Sequence, residues 1–405
     1  MRKLILLVLG LFAATFANRA DAAGFGIYEW SARGNALGGA MIARADDPSA
    51  VAFNPAGMVQ LEGTQMMVGF TAISPTADLL NELDPTPLGQ VTSVASTWFP
   101  PHLYYTRQIG EKSWFGIGVF TRFGLGTELD PGWFGRYNSY KAEITSVSIN
   151  PSWAWKISEK WSAGVGIEAA YFGIDLRRKI FTGQGFDLDS KLEGDSVGWG
   201  WNLGLLYRPT EKVQVGLTYR SQINQKVEGD FDTYLPDGSK YLQKGASGEI
   251  TLPDLLTAGI LFKPTERLSL EVDAVLTRWS SYDRLQIDFE DGSSATSEKN
   301  WKDVWRYQLG IEYTLTDHMD LRLGYVIDPS PIPDETIDYI APTNDRRLYS
   351  IGLGYRSGDW TYDLSYIYLK IKEREIAGRL AEGVFPGRSE NGDAHLFGIS
   401  LSRKF

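Results

Sequence analysis

The sequence predicts an all-β protein: a 14-stranded antiparallel transmembrane β-barrel plugged by an N-terminal, partly helical hatch. Apolar and polar residues alternate along many segments, as in strands with one face in lipid. Tight turns alternate with long polar loops, and a glycine-rich segment without alternation precedes the first predicted strand. A barrel alone needs no such segment, whereas a barrel with a closed lumen does. The sequence therefore predicts a gated transporter.

The N-terminus is typical of a secretory signal. Two basic residues precede an apolar run that is too short to span a bilayer, and small residues follow it. Cleavage is expected after Ala22 or Ala23, and no later stretch approaches 18 apolar residues, so helical spans are excluded. The predicted domains are a signal peptide at 1–22, a hatch at 23–62 and a barrel at 63–405.

Composition excludes several classes of protein. A formal net charge of −10 makes the chain a poor partner for nucleic acid, which needs a basic face. The absence of cysteine excludes disulfides and thiolate metal sites. Aromatic residues reach 13% and glycine 43 residues, a mixture typical of a lipid-facing barrel with aromatic girdles. No cofactor or metal is expected.

Alternation predicts the strands and loop length predicts their arrangement. Between 199 and 207 the odd residues are Trp, Leu or Tyr, whereas residues 200, 202 and 204 are Gly or Asn. Such strands could also form a soluble sandwich, but short links on one side and long loops on the other favour an outer-membrane barrel. The tight links are predicted at 110–112, 158–160, 209–212, 264–267, 316–318 and 357–359. An even strand number places both barrel ends on the periplasmic side, and the last strand ends on Phe405.

The ninth predicted strand, at about 267–289, changes the parity of its apolar residues. Even positions are apolar in its first half and odd positions in its second half. One extra residue in a strand shifts the parity in this way. The sequence therefore predicts a bulge between Thr277 and Ser281.

With these segments in place, the chain resembles the FadL-type outer-membrane transporters of long-chain fatty acids, whose TodX-like members carry aromatic hydrocarbons. The resemblance covers nearly the whole mature chain and rests on AGFGIYEWSARG at its start, ADDPSAVAFNPAG before the first strand and GWFGRYNSYKAE at 132–143. It implies a monomer surrounded by outer-membrane lipid and lipopolysaccharide. It also implies capture of a hydrophobic ligand at the outer surface, an internal apolar site, and sideways exit into the membrane at a kinked third strand.

A short helix is predicted before the first strand. Asp47 suits an N-cap position and Pro48 the first helical position. The helix should end near Phe53, because Pro55 pushes Asn54 toward extended geometry.

The residues Asn54, Pro55, Ala56 and Gly57 have two interpretations. They form either a structural turn that ends the helix or a latch that moves when ligand binds. The asparagine can donate and accept hydrogen bonds to the barrel wall, and the glycine permits close approach. The family likeness suggests in addition that Phe25, near the mature N-terminus, contacts the ligand.

Charged residues on the inward parity include candidates for binding a carboxylate head group. Arg220 and Arg306 are preferred because each lies well inside a clear strand, and Lys156 is a third candidate. The alternative is that inward charges pair across the barrel, since an unpaired buried charge is unfavourable. A site that needs no cation would favour neutral hydrocarbons.

The third strand, Trp114 to Gly124, contains the lateral-gate candidates. Gly116 and Gly118 lack side chains and could permit a kink beside Phe120. The alternative is that both glycines only leave packing space for the hatch. The resemblance favours the gate.

The next long loop carries Trp133, Phe134 and Tyr137, which are candidates for an apolar outer surface where ligand first adsorbs. The alternative is that these rings only pack the loop.

Two other functions compete with gated transport. A barrel-embedded lipid hydrolase would need a catalytic constellation, but no compelling Ser and Asp arrangement accompanies the histidines His102, His318 and His395. A general diffusion porin would need no plug. Calcium binding by loop aspartates lacks diagnostic spacing; these residues are Asp187, Asp189, Asp230 and Asp232.

Overall fold

A computed structural model describes residues 24–94 and 96–405. The predicted signal peptide and its cleavage site after Ala22 or Ala23 lie outside the described residues. No helix in the described part of the chain is long and apolar enough to cross a membrane.

The chain forms one antiparallel sheet. Its strands are β1 Thr64–Asn81, β2 Gln90–Thr92, β3 Pro101–Gly110, β4 Ser113–Phe120, β5 Gly124–Glu128, β6 Lys141–Lys156, β7 Trp161–Phe181, β8 Asp187–Thr210, β9 Val213–Arg220, β10 Ile223–Tyr234, β11 Lys240–Leu252, β12 Leu255–Phe262, β13 Leu268–Thr277, β14 Arg284–Phe289, β15 Ser294–Glu298, β16 Val304–Thr316, β17 Met319–Asp328, β18 Arg346–Ser357, β19 Trp360–Ile371, β20 Arg374–Ile376 and β21 Gly387–Lys404.

The sheet closes into the predicted 14-stranded barrel. Pairing of β1 with β21 runs from Gln65 opposite Lys404 to Asn81 opposite Gly387 and leaves no free edge there. Several spans consist of two consecutive strands, such as β9 with β10 and β11 with β12. The tight links lie at the end of the barrel where β1 begins and β21 ends, as the sequence predicts.

Two predicted irregularities occur in the structure in altered form. The ninth span is interrupted after Thr277 by a 3-10 turn at Trp279–Ser281, rather than by a bulge within a continuous strand. The third span is interrupted between Phe120 and Gly124, where β4 ends and β5 begins. Both interruptions lie close to the N-terminal segment, since Phe25 packs against Trp279 and pairs with the third span.

The N-terminal segment lies inside the barrel. It contains helix α1 at Ala32–Ala36, helix α2 at Ala50–Phe53 and a 3-10 helix at Pro55–Gln60. Helix α1 contacts β17, β18 and β19, whereas the 3-10 helix contacts β6, β7 and β8 on the opposite side. The segment therefore crosses the lumen. The other 3-10 turns are Pro87–Gly89 and Leu380–Glu382.

Helix α2 ends at Phe53 as predicted but begins later than predicted. Its N-cap residue is Ser49, and Asp47 lies before the helix. The Asp47 carboxylate accepts the backbone N–H of Ser49 at 2.9 Å, so it closes a turn that leads into the helix.

Candidate functional site

The Asn54-Pro55-Ala56 triplet attaches the hatch to the barrel wall. The Asn54 side-chain amide donates to the carbonyl oxygens of Ile42 at 2.8 Å and of Leu205 on β8 at 3.1 Å. Its side-chain oxygen accepts the Ala56 N–H at 3.1 Å, and Ser162 on β7 donates to the Ala56 carbonyl at 3.0 Å. One asparagine thus connects two parts of the hatch and the wall.

Wall glycines make this close approach possible. A Cβ on Gly164 would lie 2.5 Å from the carbonyl carbon of Pro55. A Cβ on Gly204 would overlap the Asn54 side-chain oxygen, and one on Gly57 would overlap the Ala45 carbonyl group. A larger residue at Gly164 or Gly204 would push the triplet away from the wall, and one at Gly57 would push it away from Ala45 within the hatch.

We expect Asn54→Ala to assemble a normal barrel but to transport faster. The substitution removes three hydrogen bonds and leaves two buried carbonyl groups with fewer donors, which weakens the hatch by about 1–3 kcal/mol. Uptake per folded barrel measures the effect, with Asn224→Ala on the exposed surface as the control. Unchanged uptake at normal surface levels would leave the triplet as a structural turn only.

Carboxylates of the barrel hold the middle of the hatch. Asp273 accepts N–H groups of Met41 and Ile42 at 3.1 and 3.2 Å. Glu271 accepts the next two N–H groups along the chain at 2.7 and 3.2 Å. On the neighbouring span, Glu312 pairs with two hatch arginines at 2.9 Å each. Hatch displacement must exchange these contacts for others.

Arg220 lies in a buried ion cluster. Its guanidinium contacts Glu168 at 2.6 Å and donates to the Ala52 carbonyl of α2 at 2.9 Å. Glu168 also pairs with Arg122, in the interruption of the third span, at 3.1 Å. This cluster, Arg122–Glu168–Arg220, links the hatch to that interruption.

The other two head-group candidates are also paired. Arg306 contacts Asp328 at 3.0 Å and lies 4.2 Å from the ring centre of Tyr28. Lys156 pairs with Glu159 at 2.8 Å on an exposed tight turn, so it does not face an internal pocket. Each of the three predicted cations thus has a carboxylate partner. This agrees with the alternative interpretation, in which these charges form ion pairs and do not bind a ligand.

The mature N-terminus pairs with the interrupted third span. Gly26 forms a bridge with Phe123, flanked by hydrogen bonds from the Ile27 N–H to the Arg122 carbonyl at 2.8 Å and from the Gly124 N–H to the Phe25 carbonyl at 2.9 Å. The hatch therefore occupies backbone groups that a continuous barrel strand would use.

The predicted kink at Gly116 and Gly118 is wrong in position. Both residues lie within regular β4, and hatch side chains fill the space that they leave. A Cβ on Gly116 would lie 2.5 Å from the Met58 sulfur, and one on Gly118 would lie 3.1 Å from Val51. The nearby Phe120 is buried as the last residue of β4.

A gap opens in the barrel wall beside this interruption. The ladder between β3 and β4 ends at Leu103 opposite Val119. In the described residues, the next backbone hydrogen bond between these spans joins the Val94 N–H to the Glu128 carbonyl at 2.7 Å. The indole of Trp98 lies over Gly126 in the gap. It lies so close that a Cβ on this glycine would overlap the ring.

A mainly apolar cavity of about 380 Å³ adjoins the gap. The hatch contributes Gly24, Gly26 and Ile27, and the outer halves of β1, β18, β19 and β21 contribute further apolar side chains. Residues of the gap also line it, namely Trp98, Phe99, Phe123 and Gly126. The cavity thus connects the hatch to the opening in the wall.

Phe25 does not line this cavity. It is buried in an aromatic cluster, with ring centres 4.7 Å from Trp279, 5.5 Å from Trp301 and 5.8 Å from Tyr282. Its backbone neighbours line the cavity while its ring anchors the N-terminus. A direct contact with ligand, as the sequence suggests, would need the N-terminus to move.

The predicted outer surface of Trp133, Phe134 and Tyr137 is not a free apolar surface. The indole of Trp133 is buried, donates to the Ser139 carbonyl at 3.0 Å and packs 4.7 Å from the ring of Tyr339. The Tyr137 hydroxyl donates to Asp187 at 3.0 Å. Burial also raises the pKa of Tyr339 to about 12. These rings pack the outer loops over the lumen.

A second groove, of about 240 Å³, lies at the outer end of the barrel. Its apolar lining comes from Leu176, Leu192, Phe231, Leu285, Ile287 and Phe289. Arg178 of β7 also lines it. The sequence did not reveal this groove because its lining comes from five separate strands and from loops, although the inward parity of β7 continues to Arg178.

The candidate enzyme and calcium residues have other roles. His102 lies 2.8 Å from the Ser400 hydroxyl, but this pair is buried under the hatch and the second ring nitrogen has no hydrogen-bond partner. His395 contacts Tyr366 at 2.8 Å. The aspartates 187, 189 and 232 pair with arginine or lysine. In the described residues, no group of three or more potential ligands could hold a metal ion.

Barrel, internal hatch and wall gap together define a class of protein, the outer-membrane transport barrels. The sequence model of the outer membrane protein transport proteins (OMPP1/FadL/TodX) matches residues 13–405. The chain belongs to this family, as the sequence suggests, and lies in the outer membrane.

Individual relatives cover almost the whole chain. The long-chain fatty acid transport protein of Escherichia coli O6:H1 is 26% identical over 98% of both chains. The 47 kDa outer membrane protein of Pasteurella multocida is 30% identical over 97% of this chain and 96% of the relative.

Solved structures share the fold. A Pseudomonas aeruginosa FadL homologue has a TM-score of 0.84 at 21% identity, covering 95% of this chain and 100% of the other. The toluene transporter TodX of P. putida has a TM-score of 0.76 at 18% identity, covering 95% and 99%.

Proposed function

We propose that this chain is a channel for passive uptake of hydrophobic small molecules, with long-chain fatty acids as its main cargo. The observation that carries the proposal is the apolar cavity between the hatch and the gap in the barrel wall. The relatives named as long-chain fatty acid transport proteins support this cargo. Monoaromatic hydrocarbons are the second candidate, because structures of toluene transporters share the fold.

The proposed route has four steps. Ligand binds the outer groove, moves to the cavity, displaces the N-terminus from the third span and leaves through the gap beside Trp98 into the membrane. An apolar ligand lowers its free energy by reaching lipid without crossing water, so the transfer needs no energy source. In this proposal the protein acts as a monomer, surrounded by lipid and lipopolysaccharide of the outer membrane.

The test is uptake by purified protein in liposomes, comparing wild type with Trp98→Ala. We expect wild type to transfer a long-chain fatty acid, and the variant to transfer it several-fold faster because the indole no longer covers Gly126. Trp199→Ala, which removes an indole exposed on the barrel surface, is the matched control.

Three outcomes would contradict the proposal. A Trp98→Ala rate equal to wild type would remove the gap from the route. Rapid passage of sugars through wild type would mean a general porin. Release of free fatty acid from a phospholipid or ester would mean a hydrolase.

A further inference from the structure

Two basic side chains face each other on the outside of the barrel wall. Arg347 on β18 lies directly opposite Lys370 on β19, and both side chains are exposed. They share their parity with exposed apolar side chains of the same strands, such as Ile351 and Leu364. Both lie at the end of the barrel away from the tight link at 357–359. Like charges directly opposite each other lower the stability of a sheet, so a nearby anion would stabilise this pair.

Tyrosine rings lie next to this pair, on the side toward the membrane centre. Tyr349 and Tyr368 occupy the adjacent outward positions of the two strands and lie opposite each other. The Arg347 guanidinium donates to the Tyr325 hydroxyl of β17 at 2.9 Å, and the rings of Tyr325 and Tyr349 are 5.3 Å apart. Aromatic rings of this kind form a girdle at the interface between membrane and water. Arg347 and Lys370 therefore lie at the depth of the lipid head groups of the outer leaflet.

A second basic pair on the outside of the wall shows how an anion compensates such an arrangement. Lys141 on β6 lies directly opposite Arg177 on β7. The Asp175 carboxylate contacts both cations, the lysine at 2.8 Å and the arginine at 2.8 Å. Glu143, which lies opposite Asp175, also contacts the lysine at 2.8 Å. In this pair the protein supplies the anion itself.

The pair of Arg347 and Lys370 is not compensated in this way. The two adjacent positions, which hold carboxylates beside the other pair, hold tyrosines here. Asp393 on β21 faces Lys370, but its carboxylate accepts the Thr76 hydroxyl at 2.8 Å instead. Among the residues that the structure describes, no carboxylate forms an ion pair with either cation. The pair thus presents an uncompensated positive charge to the outer leaflet.

We propose that Arg347 and Lys370 bind a phosphate group of lipopolysaccharide in the outer leaflet of the outer membrane. The phosphate takes the role that the Asp175 carboxylate has in the other pair. A guanidinium can form two parallel hydrogen bonds with a phosphate, and the lysine ammonium adds a point charge. The acyl chains of the same lipid lie against the apolar side chains of the wall, such as Ile351 and Leu364. This contact goes beyond the proposed function, because it does not depend on the cargo.

A phosphate attached to a lipid suits this position better than a free phosphate ion. Both cations are exposed, and exposed ion pairs are weak because water and salt screen them. A lipid phosphate is held at this depth by its own acyl chains, so its effective concentration beside the two cations is high. The site therefore selects its partner by depth in the membrane as well as by charge.

The test measures binding of lipid A, the phosphorylated lipid part of lipopolysaccharide, to the purified protein by native mass spectrometry. Bisphosphorylated lipid A is compared with dephosphorylated lipid A. We expect wild type to bind the phosphorylated form more tightly. The double variant Arg347→Gln/Lys370→Gln should bind this form roughly 10-fold or more weakly, because two cations at the membrane surface are lost.

The matched control is Lys141→Gln/Arg177→Gln. It also removes two opposed cations from the outside of the wall, but Asp175 already compensates them. Binding of bisphosphorylated lipid A by this variant should equal that of wild type. An equal loss in both double variants would mean that only the net charge matters and would overturn the site.

A further variant tests the contact without removing a cation. Tyr368→Asp places a carboxylate two residues before Lys370, as Asp175 lies two residues before Arg177. We expect it to weaken binding of bisphosphorylated lipid A several-fold, because the new carboxylate competes with the phosphate for the two cations. Tyr368→Asn, which removes the same ring without adding a charge, should bind close to wild type.

Three other results would overturn the assignment. Equal affinity of wild type for phosphorylated and dephosphorylated lipid A would mean that only the acyl chains bind. Unchanged affinity in both Arg347→Gln/Lys370→Gln and Tyr368→Asp would mean that the phosphate binds elsewhere. Displacement of lipid A by inorganic phosphate would assign the two cations to a free ion. Migration of the unheated barrel on a gel verifies that every variant is folded.

Discussion

Oxidation of the double variant Gly26→Cys/Phe123→Cys should abolish uptake, and reduction should restore it. These residues face each other where the N-terminus pairs with the third span. A disulfide would fix the N-terminus to the wall beside the cavity. If ligand passes only when the N-terminus leaves this position, the oxidised barrel cannot transport.

The geometry suits a disulfide. The hydrogen bonds that flank Gly26 and Phe123 belong to their neighbours, so the two residues form a non-hydrogen-bonded pair, in which Cα atoms of antiparallel strands are about 4.5 Å apart. Disulfides accept Cα separations of about 4.4–6.8 Å. The natural chain has no cysteine, so no competing bond can form.

The reduced form of the same variant is the control, because it also lacks the Phe123 ring. The ratio of uptake between the two forms isolates the effect of the cross-link. Equal uptake by both forms would mean that ligand passes without displacement of the N-terminus.

Glu168→Gln should give the largest loss of stability. Glu168 is the shared partner of Arg122 and Arg220, and its side chain is fully buried. Neutralising it leaves two buried cations without a counter-charge, for which we expect the free energy of unfolding to fall by about 3–5 kcal/mol. Urea unfolding of the purified barrel measures this change.

Loss of this carboxylate should also loosen the hatch, because Arg220 holds the Ala52 carbonyl. Ion conductance through single barrels in a planar bilayer should therefore rise. Glu159→Gln is the control, since Glu159 lies on an exposed turn and should change stability by about 0.5 kcal/mol or less. An unfolding curve for Glu168→Gln that matches wild type would contradict the cluster's role.

Local patterns predicted the barrel well and the site less well. Alternation and loop length depend on neighbours in sequence, so strand number, turn positions and the disturbance near Thr277 could be predicted. Which inward residues meet across the lumen depends on strand stagger, which parity does not specify. Arg220 and Arg306 were therefore identified as inward-facing, but their carboxylate partners were not.

The hatch explains the remaining differences. Gly116 and Gly118 indicate missing volume, but the sequence cannot say whether a bend or another side chain uses it. Met58 and Val51 fill this space. In the same way, Trp133 is an apolar loop residue whose burial depends on Tyr339, distant in sequence. Long-range packing decided each case.

The gap beside Trp98 has a consequence for how the wall can close. Pro101, the first residue of β3, lines the adjoining cavity, and proline has no N–H to donate across the gap. A backbone ladder across the gap therefore lacks a donor at this residue, even when no ligand is present. At this point the wall is closed by a side chain, the Trp98 indole over Gly126, and not by backbone hydrogen bonds.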